Sequence, residues 1–135
     1  MNGSKSFFDT NILLYLLSED RAKADCAEAL FAAGGVISVQ VLNEFAAVAS
    51  RKRAMSWPEI REILSTVRMV CTITPISVET HERGLFLAER YGFSLYDSLI
   101  VAAASLAECS ILYSEDMQDG QIIDRLKIQN PFTGI

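Results

Sequence analysis

The chain has 135 residues, half of them hydrophobic, with 17 acidic against 12 basic side chains and a net charge of −5. That is the size of one domain with ample apolar material for a core, and no apolar run reaches the ~20 residues that cross a bilayer. The acidic balance excludes a plain basic nucleic-acid binder, and three scattered cysteines (Cys26, Cys71, Cys109) with a single histidine, His81, exclude a zinc site built from Cys and His.

The cysteines stand among apolar residues and are expected to act as small buried hydrophobes, and His81 is expected at the surface or an edge. The first residues, MNGSKSFFDTN, lack the layout of a secretory signal, so a soluble cytoplasmic protein with no membrane association is expected.

In chain order, SKSFFD reads as a short buried strand and TNILLYLLSED as the start of a first helix. RAKADCAEALFAAGG reads as a second helix, ending at Gly34-Gly35. GVISV is a strand and VQVLNEFAAVASRKRA a long helix. In SWPEIREILSTVRM, Ser56 and Glu59 have capping-box spacing, with Pro58 in the first turn. VCTITPI is a strand ending at Pro75, and SVETHERGLFLAERYG a helix stopped by Gly92. SLYDSLIVAAASLAEC is a helix apolar on nearly every side, hence central. SILYSED is a strand, and RLKIQNPF holds a last one. Strands alternating with helices over residues 1–135 predict a single α/β domain: a central, mainly parallel β-sheet flanked by α-helices.

Four acids stand out in this frame. Asp9 directly follows SFF, and Asp116 follows ILYSE, with Asp119 three residues on. Both lie at the carboxyl ends of predicted strands, where open α/β sheets bind ligands. The competing reading is a turn former or helix cap. Glu44 has Gln40, Val41, Ala47 and Val48 at helical spacing, a mostly apolar setting in which a glutamate is rarely free. The alternative is a glutamate snorkelling at the edge of the stripe. Asp97 has Phe93, Ile100 and Val101 as helical neighbours, and its spacing from Ser94 also suits a capping box. The two roles of Asp97 are compatible. If the fold gathers Asp9, Glu44, Asp97 and Asp116, their repulsion calls for a hard divalent cation. All-oxygen ligation suits Mg²⁺ or Mn²⁺.

FFDTN, the isolated NE, YDSLIVAAA and LYSEDMQDG together resemble the four acidic motifs of PIN domains, most closely those of VapC-type ribonuclease toxins of toxin–antitoxin systems. The resemblance spans nearly the whole chain. It implies that Asp9, Glu44, Asp97 and Asp116 are the catalytic, metal-binding acids. Asn11 and Ser114 would orient ligands or water beside the first and last of them, and Asp119 matches a further acid at the metal. It also implies a parallel sheet, RNA cleavage dependent on Mg²⁺ or Mn²⁺, a homodimer, and a cognate antitoxin that occupies the groove. One departure is Gly120: many relatives carry an aromatic after the final acid, so a different loop packing is expected here.

The expected reaction is hydrolysis of an RNA phosphodiester by metal-activated water. The charge problem is local: Arg51, Lys52 and Arg53 end the helix of Glu44 and suit an RNA-backbone contact. The same cluster would equally favour the negative end of that helix's dipole. A haloacid-dehalogenase-like phosphatase also places an aspartate after a buried strand, but it needs a second aspartate where this chain has Asn11. A non-catalytic PIN-like RNA-binding or scaffold module would be favoured by loss of one of the acids, and none is missing.

Overall fold

The computed structural model describes residues 5–135; residues 1–4, among them the Ser4 with which the first strand was read to begin, lie outside the described part. Strand β1 (Ser6–Phe8) is the centre of the molecule. Phe7 and Phe8 are both fully buried, which is why this short segment can anchor a sheet. It pairs in parallel with β2 (Gly35–Ser38) on one side and β4 (Ile111–Tyr113) on the other. The six-stranded order is β3-β2-β1-β4-β6-β5, with β3 at Cys71–Thr74, β5 at Ile122–Ile123 and β6 at Leu126–Gln129. Only the β5–β6 pair is antiparallel. The mainly parallel α/β sheet read from the sequence is the observed fold.

Between the strands run α1 (Thr10–Leu14), α2 (Arg21–Ala32), α3 (Val39–Lys52), α4 (Trp57–Val70), α5 (Val78–Tyr91) and α6 (Leu95–Leu106). Among the described residues, no helix is long and apolar enough to cross a membrane. Helix α6 buries Ser98 and Ile100 to Ala104, as its apolar composition requires. It packs closely on α5 because Gly84 has no side chain: a Cβ there would stand 2.6 Å from Leu99 Cδ2. Gly92 ends α5 with φ +76, a conformation that suits glycine.

The capping box of Ser56 and Glu59 is formed in both directions. A second one, Ser77 with Thr80, was not read from the sequence. Some boundaries differ from expectation. The first helix keeps only five residues before it tightens into a 3₁₀ turn at Tyr15–Leu17, because Ser18 turns extended and its hydroxyl accepts the N–H of Asp20. Val70 closes α4 instead of opening β3. Strand β5 was not foreseen, since two residues carry no periodicity. Cys71 and Cys109 are buried, which pushes both thiols up to about 11, while Cys26 is half-buried with its sulfur against the Pro131 carbonyl. His81 is exposed.

Candidate active site

The chain runs from β1 to β2 to β3 on one side, then returns to place β4 on the other. The connection therefore changes direction between β1 and β4, and a parallel sheet opens a crevice at the carboxyl ends of such strands. The register pairs Phe8 with Tyr113, so the next residues, Asp9 and Ser114, meet at that crevice. The Asp9 N–H donates to the Tyr113 carbonyl at 2.9 Å. The Ser114 hydroxyl donates to Asp9 Oδ2 at 2.8 Å, and the Thr10 N–H donates to Asp9 Oδ1 at 2.7 Å. Asp9 thus does cap α1, as the structural alternative held, yet it also faces the other acids.

Asn11 bridges two of them. Its Nδ2 donates to Asp116 Oδ2 at 3.1 Å and reaches Asp9 Oδ2 at 3.5 Å, while its Oδ1 accepts the Glu115 N–H at 3.2 Å. Glu44, six residues into α3, is half-buried and doubly held. The Thr10 hydroxyl donates to its Oε1 and Gln40 Nε2 to its Oε2 at 3.2 Å. Gln40 also donates to the Tyr96 carbonyl at 3.1 Å, which ties α3 to the first turn of α6 beside Asp97. Thr10 and Gln40 were not singled out from the sequence. The only signal was local: Gln40 lies one helical turn before Glu44, and Thr10 lies inside FFDTN.

Asp97 forms half a capping box. Its N–H donates to Ser94 Oγ at 3.2 Å, but no return bond from its carboxylate to the Ser94 backbone closes the box. The carboxylate stays beside the Ser94 side chain and within the repulsion of Asp116 and Glu44.

The electrostatics show the four acids acting on one another. Burial pushes the Asp9 carboxyl up to about 6 against the opposing hydrogen bonds of Ser114 and Thr10, and Asp97 and Glu44 add repulsion in the same direction. Asp97 is also raised, first by burial, then by repulsion from Asp116 and Glu44. The remaining expected residues sit differently. Asp119 is exposed, and its Oδ1 accepts the Asn130 N–H at 2.8 Å, an anchor between the last loop and the chain's tail. Gly120 turns with φ +87 and donates its N–H to the Ile128 carbonyl at 2.8 Å, a turn that an aromatic residue would strain. Arg51, Lys52 and Arg53 are exposed at the end of α3. Arg51 turns back onto the Ala47 carbonyl of its own helix, whereas Arg53 crosses to the Leu17 carbonyl at 3.1 Å.

The donor set is carboxylate and hydroxyl oxygen, with uncompensated negative charge at its centre, and it fits a hard divalent cation. Among the described residues, no three acidic, histidine or cysteine side chains stand close enough together to hold a metal ion between them.

A second cluster adjoins the acids. The Tyr15 hydroxyl donates to Glu115 Oε1 at 2.6 Å, and Lys23 Nζ pairs with Glu115 Oε2 at 3.1 Å. Phe132, buried, packs its ring 4.5 Å from that of Tyr15.

A family model for the PIN domain matches residues 6–119. Solved structures that share the fold include the following three. A toxin–antitoxin complex from Klebsiella pneumoniae is 24% identical with TM-score 0.73, over 95% of this chain and 98% of that one. VapC20 of Mycobacterium tuberculosis, described as a sarcin–ricin loop cleaving toxin, is 18% identical with TM-score 0.68, over 83% and 90%. VapBC2 of Rickettsia felis, bound to a DNA fragment from its promoter, is 20% identical with TM-score 0.68, over 93% and 97%. No curated protein matches the chain in sequence. With the acids gathered at the reversal between β1 and β4, and with the family model covering β1 through Asp119, the chain belongs to the PIN-domain family.

Proposed function

We propose that this PIN domain, spanning residues 1–135, is a divalent-metal-dependent endoribonuclease and the toxin of a toxin–antitoxin pair. The observation that carries the reading is the arrangement of Asp9, Glu44, Asp97 and Asp116 around one crevice, mutually repelling and held by neutral donors. When bound, Mg²⁺ or Mn²⁺ would supply charge to the phosphate and acidify a water for in-line attack. Asp9, Glu44, Asp97 and Asp116 would hold it. Asn11 and Ser114 keep the Asp9 and Asp116 carboxylates oriented without adding charge, and Thr10 and Gln40 do the same for Glu44. His81, exposed on α5, takes no part as a base.

The partners follow from the same reading. An antitoxin segment would cover apolar surface and reach the acids. A groove of about 410 Å³ between the 3₁₀ turn and α4, lined by Leu16, Met55, Ile63 and Val67 among others, offers such surface. On α4, Ile60 and Val67 are buried in the core, while Trp57 remains exposed. A homodimer and a cytoplasmic setting belong to the proposal as well. The experiment is incubation of the purified protein with assorted RNAs in Mg²⁺, Mn²⁺ or EDTA. Cleavage in either metal that stops in EDTA and in Asp9→Asn is expected; RNA left intact in both metals would overturn the reading.

A further inference from the structure

Beside the acids lies a cleft of about 250 Å³ lined by Asn11, Leu14, Tyr15, Ser18, Arg53 and Glu115. It shares Asn11 with the catalytic crevice, and Asn11 touches both Asp9 and Asp116. Two of its lining side chains carry opposite charge, yet they do not neutralise each other. Glu115 is committed to Tyr15 and Lys23. Arg53 is held by one donor on the Leu17 carbonyl and, among the described residues, has no carboxylate partner. A guanidinium oriented by a backbone carbonyl, with further N–H groups open to the cleft, is a site for an anion with paired oxygens. It is also the cation of the RKR run that lines this cleft, which adjoins the acids through Asn11; Arg51 is turned onto its own helix.

Resting on the ribonuclease reading, we infer that this cleft is the subsite for a nucleotide next to the scissile bond, with Arg53 gripping a backbone phosphate of single-stranded RNA. Placement decides the ligand class. A phosphodiester chain whose reacting group sits among the acids can run past Asn11, which touches Asp9 and Asp116, into the cleft that presents the Arg53 cation. The Leu17 carbonyl fixes the guanidinium, so little side-chain freedom remains to be lost on binding.

The test measures binding of oligouridylate and oligoadenylate by fluorescence anisotropy across a salt series. It is run in the Asp9→Asn background so that the RNA survives. Arg53→Gln should raise Kd about tenfold, as loss of one charge-assisted bond does. It should also lower the log–log salt slope by about 0.7, the share of one phosphate on a single strand. Arg53→Lys should recover the slope but only part of the affinity. Ser18→Asp guards against a folding defect in Arg53→Gln: its carboxylate still accepts the Asp20 N–H, leaves the Arg53–Leu17 bond untouched and places a negative charge in the cleft. It should weaken binding to a similar degree. RNA bound with unchanged Kd and slope in both Arg53→Gln and Ser18→Asp overturns the subsite alone. Loss of affinity for a protein partner with RNA binding intact assigns the cleft to that partner and likewise overturns it. If the Asp9→Asn protein binds no RNA and the native protein cleaves none, the ribonuclease reading falls and the subsite falls with it.

Discussion

Asn11 Nδ2 donates to Asp116 Oδ2 at 3.1 Å, joining residues 105 positions apart in the chain. The same amide accepts the Glu115 N–H, so one neutral side chain fixes both the acid and the backbone beside it. Asn11→Ala removes both bonds and leaves the Glu115 N–H without its acceptor, at a cost of about 1–2 kcal/mol. Cleavage should fall about 10-fold to 100-fold as Asp116 loses its position. Asn11→Asp should lower the melting temperature further without metal, because it adds an acid beside Asp9 and Asp116, and Mg²⁺ should restore part of the loss. Melting curves with and without Mg²⁺ check this; an Asn11→Asp protein as stable as native without metal refutes it.

The buried Asp9 carboxyl makes the metal-free protein pH-sensitive. Its folded value, about 6, lies above the ordinary 3.8. An acid raised in the folded state favours folding while protonated. Its contribution is therefore fully present below pH 3.8 and lost as pH rises through 6. The difference amounts to about 3 kcal/mol. Asp9→Asn should keep the fold, abolish cleavage and erase this dependence, so its stability relative to native should grow from pH 4 to pH 7 in EDTA. Urea unfolding at a series of pH values measures it, and parallel curves for the two proteins would contradict it.

Thr10 supplies the hydroxyl that holds Glu44. Thr10→Val keeps the shape and removes the donor. We expect a loss of about 1 kcal/mol or less in stability, with a larger proportional loss in cleavage than in RNA binding. Thr10→Ser should recover most activity. Equal activity in Thr10→Val and native protein would show that Glu44 needs no such support.

If the antitoxin inhibits by placing an arginine or lysine among the acids, it competes with the metal. Raising Mg²⁺ at constant ionic strength should then weaken the complex, and Asp97→Asn should weaken it as well. Calorimetry across a Mg²⁺ series reads this directly; an affinity independent of Mg²⁺ in both proteins excludes occupation of the metal site.

What could be read from the sequence was local or periodic. Asp9 and Asp116 announced themselves by following apolar strands, and Glu44 and Asp97 by interrupting apolar helical faces. The gathering of all four depends on the strand order, which the alternation of strands and helices implies only in class. The groups that hold them were less visible. Thr10 and Gln40 are ordinary polar residues whose roles depend on which neighbour the fold delivers. The Tyr15–Lys23–Glu115 cluster joins residues about ninety to a hundred positions apart. Asp119 was visible only through the resemblance, as a further acid at the metal; that its Oδ1 accepts the Asn130 N–H depends on a residue eleven positions away and no local pattern announces it. Strand β5 escaped because two residues are too few for any pattern.

Phe132, three residues before Ile135, packs against Tyr15, which in turn holds Glu115, the residue before Asp116. The segment around Phe132 therefore works as a clamp on the loop that carries Asp116, although it lies outside the stretch matched by the family. Removing residues 131–135 should leave the sheet intact and loosen the loop, so that amide exchange at residues 114–118 quickens and cleavage drops before the melting temperature does. Any fusion that disturbs Phe132 would loosen the loop of Asp116 and, under the proposed function, give a folded protein that reads as inactive.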